Sequence, residues 1–187
     1  MQAFRLIEYC YLAYFSKPAS ERCIYQAIRR RKACNLVELG TGPALRARRM
    51  IRVAQLSSPG RKVRYTGIDE FELAGRAGDV GSLPLKAAHQ HLAKSGAQVQ
   101  LVPGDPFTAL ARKANDLVGS DLLVISANQR SQLLDRAWFY VPRMLHVDSL
   151  VFVEDTGQDD PQQSRFRLLP HEQIQELAGA GLQRRAA

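Results

Sequence analysis

The stretch Asn35–Ala44, N-L-V-E-L-G-T-G-P-A, decides the fold of this chain. An apolar run that contains one acid, Glu38, is followed by two glycines separated by one residue, and a helical segment comes next. This pattern is typical of a buried strand that ends in a tight turn, where backbone N–H groups can hold a nucleotide-like ligand. We interpret the rest of the chain as scaffold around that turn or as further walls of the same pocket.

Length and composition favour one globular domain. The chain has 187 residues, of which 45% are hydrophobic and 24% charged, and this length can bury a sizeable core. We divide it into N-terminal helices (1–33), an α/β core (34–156) and a C-terminal loop and helix (157–187). The net charge of +8 permits a nucleic-acid partner, although a solvated basic face is the simpler explanation.

The cysteines indicate a reducing compartment. There are three, Cys10, Cys23 and Cys34, and no two form a C-x-x-C pair, so neither a disulfide framework nor a zinc site is suggested. We therefore expect a cytoplasmic protein without a metal. The most apolar N-terminal run, residues 6–15, contains Glu8 and is too short to cross a bilayer, so no membrane association is expected.

Strand-like and helical segments alternate along the chain. The predicted strands are 35–39, 62–68, 99–102, 121–126 and 149–153, and the predicted helices between and after them are 43–56, 82–95, 107–117, 130–145 and 171–180. The segments 71–81 and 157–163 are predicted loops, Ser82 a helix cap, and Gly181 the stop of the last helix. This alternation predicts an α/β fold: a three-layer, doubly wound, mostly parallel sheet of at least five strands with helices on both faces.

Two helices are predicted before the first strand. The helix at 2–15 carries large apolar residues near a 3.6-residue spacing, and we expect them to pack on the core, with a dimer surface or a substrate lid as alternatives. These residues are Phe4, Ile7, Tyr11, Tyr14 and Phe15.

In the helix that follows the glycine turn, the arginines are predicted to face outward; they are Arg46, Arg48, Arg49 and Arg52.

Three successive strand ends carry residues suited to a nucleoside. They are Glu38 with Gly40-Thr41-Gly42, then Asp69-Glu70, then Gly104-Asp105-Pro106. Ligands bind beyond the carboxyl ends of the strands in such sheets. An acid at the second strand end can accept hydrogen bonds from ribose hydroxyls, and an acid at the third can accept one from an adenine amino group.

Together these motifs resemble those of the class I S-adenosylmethionine-dependent methyltransferases. V-E-L-G-T-G, G-I-D and G-D-P match that family's motifs in order, and the resemblance runs from about residue 35 to 155. It implies that Gly40, Thr41 and Gly42 line the methionine and ribose, that Asp69 holds the ribose hydroxyls, and that Asp105 and the following backbone read the adenine. Ser126 would lie near the reactive methyl. Glu38, Glu70, Gly104 and Pro106 complete the predicted cofactor-binding set.

A dinucleotide is the competing ligand. Its fingerprint G-x-G-x-x-G requires a glycine at position 45, which is Leu45. The methyltransferase pattern prefers a glycine at position 44, which is Ala44, a smaller departure. The sequence thus favours S-adenosylmethionine as cofactor of a methyltransferase with an unknown acceptor. A non-catalytic cofactor-binding or nucleic-acid-binding module on the same fold is the alternative.

The chain departs from the family's pattern in three ways. The spacing from Gly42 to Asp69 is long. The fourth strand is followed by S-A-N-Q without an Asn/Asp-Pro-Pro-Tyr/Phe motif, which argues against methylation of a base amino group by that chemistry. About 30 residues follow the fifth strand, so we expect a shortened sheet whose exposed edge a second subunit, in a homodimer, could cover.

No catalytic residue is assigned from the sequence. The four histidines are predicted to be structural or solvent-facing; they are His89, His91, His146 and His171. Glu154 and Asp155 end the fifth strand near the pocket, where they could serve an acceptor or a metal, although a solvated turn explains them more simply.

Overall fold

A six-stranded sheet forms the centre of the protein. The structure, a computed structural model, describes residues 2–71, 83–129, 132–156 and 164–186, without the side chains at 2–5, 156 and 183–186. The predicted loops 71–81 and 157–163 lie outside these ranges except for Phe71, and so does the predicted cap Ser82. The strands are β1 (Asn35–Leu39), β2 (Arg64–Asp69), β3 (Gln98–Pro103), β4 (Ser120–Ile125), β5 (Leu145–Thr156) and β6 (Ser164–Leu168).

The sheet has the order β3-β2-β1-β4-β5-β6. The first five strands run parallel, and β6 pairs antiparallel with β5. The strand order reverses between β1 and β4, which are adjacent in the sheet but far apart in the chain. Parallel neighbours need crossover connections, and helices supply them on both faces. The predicted doubly wound α/β fold is therefore confirmed.

Helices cover both faces of the sheet. They are α1 (Gln2–Cys10), α2 (Arg22–Arg31), α3 (Leu45–Ser57), α4 (Leu85–Ala93), α5 (Pro106–Lys113), α6 (Gln132–Ala137), α7 (Val141–Met144) and α8 (His171–Ala186). A π-helical turn, Tyr11–Phe15, continues α1, and short 3-10 turns extend several of the others. Within the described ranges, none of the helices has the length and apolar character needed to cross a membrane.

Two hydrophobic clusters lie on opposite faces of the sheet. Because successive side chains of a strand point to opposite faces, Leu36 belongs to the cluster under α1–α4 and Val37 to the cluster under α5–α8. Met50 of α3 and Trp138 after α6 are buried members of these two clusters. The sheet is thus the middle of three layers, as the apolar runs predict.

The first helix buries a different face from the predicted one. Ile7, Tyr11, Tyr14 and Phe15 are 67%, 58%, 53% and 69% exposed, so the expectation that they pack on the core is wrong; the side chain of Phe4 is outside the described set. Tyr9, Leu12 and Ala13 are buried instead. The helix lies on the outside of α2 and α3, where one narrow stripe suffices for contact, and the π-helical turn shifts the spacing after Cys10.

The C-terminal segment extends the sheet. After the described part of β5, Ser164–Leu168 forms β6, which the sequence pattern does not predict. Phe152 pairs with Leu168, and Thr156 pairs with Ser164. The edge of β5 is therefore covered by the chain's own β6, so that edge needs no second subunit to cover it.

The prediction that the last helix stops at Gly181 is wrong, because the helix continues to Ala186. A Cβ atom added at Gly181 would lie 2.9 Å from the carbonyl oxygen of Asp135 and 3.1 Å from the backbone nitrogen of Phe139. The glycine is present because α8 packs directly on the backbone of α6 and the turn after it. A second glycine of the same helix, Gly179, has no atom within 4 Å of the corresponding position.

These two glycines form a matched pair for testing the packing of α8. We expect Gly181→Ala to lower the free energy of unfolding by about 1–3 kcal/mol, because backbone atoms must move to admit the methyl group. Gly179→Ala should raise it by about 0.5–1 kcal/mol through helix propensity alone. Urea denaturation of both variants measures the difference, and equal effects would show that α8 does not pack as described.

Candidate functional site

The turn after β1 contains three residues with positive φ angles. Gly40 and Gly42 have φ angles of +86° and +54°, and Ala44 has φ +58°. The N–H of Gly40 donates to the carbonyl of Ile68 at 2.8 Å, which continues the β1–β2 ladder, and the N–H of Ala44 donates to the carbonyl of Thr41 at 3.1 Å. Position 44, where the family pattern prefers glycine, thus has the left-handed conformation that glycine adopts most easily.

The two glycines of the turn have different surroundings. A Cβ atom at Gly40 would lie within 2.9 Å of Ser126, Asn128 and Gln129, so this glycine lets the segment after β4 pack on the turn. A Cβ atom at Gly42 would have none of the described residues within 4 Å. Gly40 is therefore required for packing, whereas Gly42 borders open space on the carboxyl edge of the sheet.

Asp69 joins the end of β2 to the glycine turn. Its carboxylate accepts hydrogen bonds from the backbone N–H of Gly42 at 2.9 Å and from that of Glu70 at 2.8 Å. The side chain is buried, with 4% exposure, while Glu70 beside it is exposed. The structure thus brings two of the predicted site residues, Gly42 and Asp69, into direct contact, and Asp69 fixes the turn.

The third predicted motif follows β3 on the same edge. The N–H of Gly104 donates to the carbonyl of Asp69 at 3.0 Å. Gly104 has φ +130°, and a Cβ atom added there would have no neighbour within 4 Å in the part of the chain that the structure describes. Asp105 caps α5: its Oδ1 accepts from the N–H of Thr108 at 2.9 Å. Pro106, at the first position of α5, is buried.

The cap determines the charge of Asp105. Partial burial raises the pKa of Asp105. The hydrogen bonds from Thr108 and from the neighbouring backbone lower this pKa by more than burial raises it, so it lies below its ordinary value of 3.8. A carboxylate can accept about four hydrogen bonds. Asp105 therefore stays ionised at neutral pH and retains acceptor capacity beyond the cap.

Glu38, the acid of the first motif, lies beneath the turn and is fully buried. Its carboxylate accepts from Arg46 Nε at 2.6 Å and from the hydroxyl of Tyr65. Burial raises the pKa of Glu38 above its ordinary value of 4.5, and Arg46 and Tyr65 offset only part of this. Burial lowers the pKa of Arg46, but the Glu38 carboxylate outweighs it and raises that pKa overall. The pair is best described as a buried salt bridge.

Arg46 is a site residue that sequence reasoning does not find. The prediction that it faces outward from α3 is wrong, because its side chain is only 12% exposed. Besides Glu38, its guanidinium donates to the carbonyl of Gly40 at 3.0 Å and to the hydroxyl of Ser126. The only sequence signal is that Arg46 lies in the first turn of the helix that follows β1, where its side chain can reach back to Glu38 on the strand.

Ser126, predicted near the reactive methyl, is held under the turn as well. Its hydroxyl donates to the carbonyl of Gly40 at 2.8 Å, and its N–H donates to the carbonyl of Leu39 at 2.9 Å. Thr41 is buried in the turn against Gly67, where any Cβ atom would lie 2.6 Å from the Thr41 hydroxyl. These two side chains support the turn from below.

The acids after β5 take part in structural contacts. Glu154 accepts from the N–H of Ala127 at 3.1 Å and lies 3.9 Å from Arg46, and Asp155 accepts from Arg167 at 3.1 Å. Across the described ranges, no three histidine, cysteine or acidic side chains cluster as a metal site would require.

The histidines lie away from the glycine turn or on the surface. His146, at the start of β5, lies 3.1 Å from Asp121 at the amino edge of the sheet, as predicted. His89, His91 and His171 are exposed. The structure therefore brings the predicted cofactor motifs together on one edge without a histidine beside them among the described residues.

The comparisons with known proteins agree with this architecture. No family profile and no curated protein sequence matches the chain. Similar solved structures include an O-methyltransferase of Bacillus cereus in complex with S-adenosylhomocysteine (TM-score 0.57, 14% identity, covering 94% of this chain and 74% of that one). Another is TomG of Streptomyces achromogenes, an O-methyltransferase of tomaymycin synthesis in complex with S-adenosylmethionine (TM-score 0.55, 15% identity, 92% and 74%).

A TehB-like S-adenosylmethionine-dependent methyltransferase of Corynebacterium glutamicum is similar as well (TM-score 0.53, 15% identity, covering 96% of this chain and 79% of that one). At such low identity the likeness concerns the fold. The chain has the fold of the class I S-adenosylmethionine-dependent methyltransferases, which confirms the resemblance drawn from its motifs.

The Glu38–Arg46 pair can be tested by removing the cation. Arg46→Met should lower the free energy of unfolding by about 3–5 kcal/mol, because it leaves a carboxylate buried without its partner. In the wild type the pKa of folded Glu38 already lies above its ordinary value, and without Arg46 it rises further. The deficit should therefore grow as the pH rises above the wild-type pKa of folded Glu38 and shrink in acid, where Glu38 is protonated in both proteins.

Arg48→Met, on the exposed side of the same helix, is the control for this experiment and should change stability by less than about 0.5 kcal/mol. Urea denaturation across a range of pH values measures both variants. A deficit of Arg46→Met that does not depend on pH would argue against a buried ion pair.

The cap at α5 gives a second test. Asp105→Ala should cost about 1 kcal/mol of stability, because the N–H of Thr108 loses its acceptor, whereas Asp105→Asn keeps a good cap and should cost much less. Thermal or urea denaturation at neutral pH distinguishes them. Equal losses in both variants would mean that the negative charge, rather than the hydrogen bond, stabilises the helix.

Proposed function

We propose that this protein is a methyltransferase that binds S-adenosylmethionine at the carboxyl ends of β1, β2 and β3 and methylates an acceptor not yet identified. One observation carries the proposal: three strand ends meet through Gly42–Asp69 and Asp69–Gly104 hydrogen bonds. Two glycines, Gly42 and Gly104, and the acids Asp69, Glu70 and Asp105 therefore lie at the same edge of the sheet. The cofactors in the similar O-methyltransferase structures support the choice of ligand.

The residues present fit this cofactor. Gly42 and Gly104 have positive φ angles, and the space that a Cβ atom would occupy on each is open, so a ligand can approach both backbones closely. Asp69 uses its oxygens for two backbone N–H groups and can accept more, since each oxygen has two lone pairs. We propose Asp69, with the exposed Glu70 beside it, for the ribose hydroxyls, and Asp105 for the adenine.

When bound, this cofactor supplies an electrophilic methyl group on a sulfonium centre. The protein's task is then to hold the acceptor in line with that methyl group and, for a hydroxyl acceptor, to take up its proton. Ser126, at the end of β4 next to Gly40, is the described side chain that we propose for the methyl side of the site.

The three cysteines are free thiols, which supports a reducing, cytoplasmic setting.

Calorimetry with S-adenosylmethionine, S-adenosylhomocysteine and NAD tests the proposal. We expect the first two to bind and NAD not to. Gly42→Ala should weaken cofactor binding at least about tenfold, because its methyl group fills the space proposed for the ligand, while the left-handed backbone costs only about 1–2 kcal/mol of stability.

Gly60→Ala is the matched control. Gly60 also has a positive φ, +84°, and open space around its Cβ position, but it lies in the turn after α3. It should show the same loss of stability with unchanged cofactor binding. If Gly42→Ala binds the cofactor as Gly60→Ala does, the proposed position of the ligand is wrong, and if neither methionine-derived ligand binds the folded protein, the function itself is refuted.

Methyl transfer to a broad panel of acceptors then separates an enzyme from a binding module. Formation of S-adenosylhomocysteine that depends on one acceptor and is lost in Gly42→Ala supports the methyltransferase. Tight binding without transfer to any acceptor favours the non-catalytic module.

A further inference from the structure

A basic groove runs between α1, α3 and α4, and neither Glu38 nor Arg46 is part of its lining. It has a volume of about 750 Å³. Leu12, from the turn that continues α1, lines one side, and the side chain of Gln55 donates to the carbonyl of Ser95 at 2.8 Å, which joins α3 to α4 at one end. Three helices thus form a concave surface that could hold an elongated partner.

Positive charge dominates the basic groove. Among the residues that the structure describes, its lining includes Arg48, Arg49, Arg52 and Lys94 together with His91, and a single acid, Glu8. The carboxylate of Glu8 accepts two hydrogen bonds from Arg52, at 2.6 and 2.7 Å, and Arg49 lies 3.4 Å from Glu21. Arg48, His91 and Lys94 are exposed and have no carboxylate partner within the described ranges.

The cations are spread along the groove instead of converging on one point. Arg48, Arg52 and Gln55 are spaced i, i+4 and i+7 on α3, so they share one face and span about 10 Å of helix. Lys94 places a further cation on α4, on the same face as His91 three residues before it. A site for one small anion needs buried, convergent donors, whereas Arg48 and Lys94 are exposed cations on two different helices, an arrangement that suits successive phosphates of one chain.

The π-helical turn that continues α1 carries exposed aromatic rings. Tyr11, Tyr14 and Phe15 are 58%, 53% and 69% exposed, and they come from the same π-helical turn whose Leu12 lines the groove. Proteins that bind single-stranded nucleic acid combine a cationic groove for the backbone with aromatic side chains on which bases stack. The groove and the turn together have both parts.

We infer that the basic groove binds a single-stranded nucleic acid, with its phosphates along Arg48 and Lys94 and its bases against the aromatic turn. The net charge of +8 supports this partner. A lipid surface fits less well, because a flat bilayer cannot enter a concave groove. Binding does not require methyl transfer; however, Leu45, the first residue of α3 after the glycine turn, also lines the groove, so one end lies beside the proposed cofactor site.

The inference is tested with a fluorescent oligouridine of about 12 nucleotides, a length within the site sizes of such proteins. Anisotropy titrations over a range of salt concentrations should show binding that weakens steeply as salt increases. The double variant Arg48→Gln, Lys94→Gln should bind about tenfold more weakly at low salt, and the slope of log K against log salt should fall in magnitude by about 1.4 for two lost phosphate contacts.

The matched control removes the same charges elsewhere. Lys62→Gln, Arg112→Gln also replaces one lysine and one arginine, both exposed and outside the groove lining, and should bind like the wild type. Tyr11→Ala, Phe15→Ala should weaken binding with an unchanged salt slope, because stacking releases no counterions. S-adenosylmethionine binding, measured on the same variants, should stay at the wild-type level in all three, which separates this inference from the proposed function.

Several results would overturn the inference. Equal losses in the groove variant and the control variant would mean that diffuse charge binds the oligonucleotide. Absence of binding at about 50 mM salt, where electrostatic binding is strong, would exclude the partner. Binding to vesicles of phosphatidylglycerol in the absence of oligonucleotide binding would assign the surface to a membrane, and burial of the aromatic turn in a dimer, seen by sedimentation, would assign it to a second copy of the chain.

Discussion

The buried salt bridge between Glu38 and Arg46 is the interaction on which the candidate site depends. Removing two charges from water is costly, and only close pairing with further hydrogen bonds offsets that cost. Here the guanidinium also donates to Gly40 and Ser126 and lies 5.1 Å from the centre of the Phe166 ring. One side chain therefore connects β1, the glycine turn, the end of β4 and β6. The turn is held from beneath, which agrees with the proposal that a ligand binds on its other side, next to the acids after β2 and β3.

How far the sequence determines the structure depends on how local each signal is. The strand at Asn35–Leu39, the turn at Gly40–Gly42 and the acids Asp69 and Asp105 could be predicted because apolar runs, glycines and strand ends follow each other in the chain. The doubly wound order then brings those strand ends to one edge, by the rules of crossover handedness. The contact of Asp69 with the N–H of Gly42, however, is a tertiary detail that no local pattern contains.

The errors have physical causes of the same kind. Arg46 looks like any other arginine on a basic helix, and only the buried Glu38 across the interface makes it an inward-facing residue. Gly181 has the residue type of a helix stop, but its absence of a side chain serves the close approach of α6. The aromatic residues of α1 have core-like spacing, yet the helix is peripheral and needs only Tyr9, Leu12 and Ala13 to dock. In each case the side chain's position depends on the part of the same chain that packs against it, and a local sequence pattern does not contain that contact.

The antiparallel strand β6 has a consequence for the protein's behaviour at high concentration. An edge strand offers unpaired N–H and C=O groups to any other strand, and this invites edge-to-edge aggregation. In β6, Arg165 and Arg167 are exposed; Arg167 pairs with Asp155 of the neighbouring strand, and Arg165 places a positive charge on the edge. A charged side chain on an edge strand disfavours pairing with a second copy of that edge, so we expect Arg165 to weaken aggregation through β6.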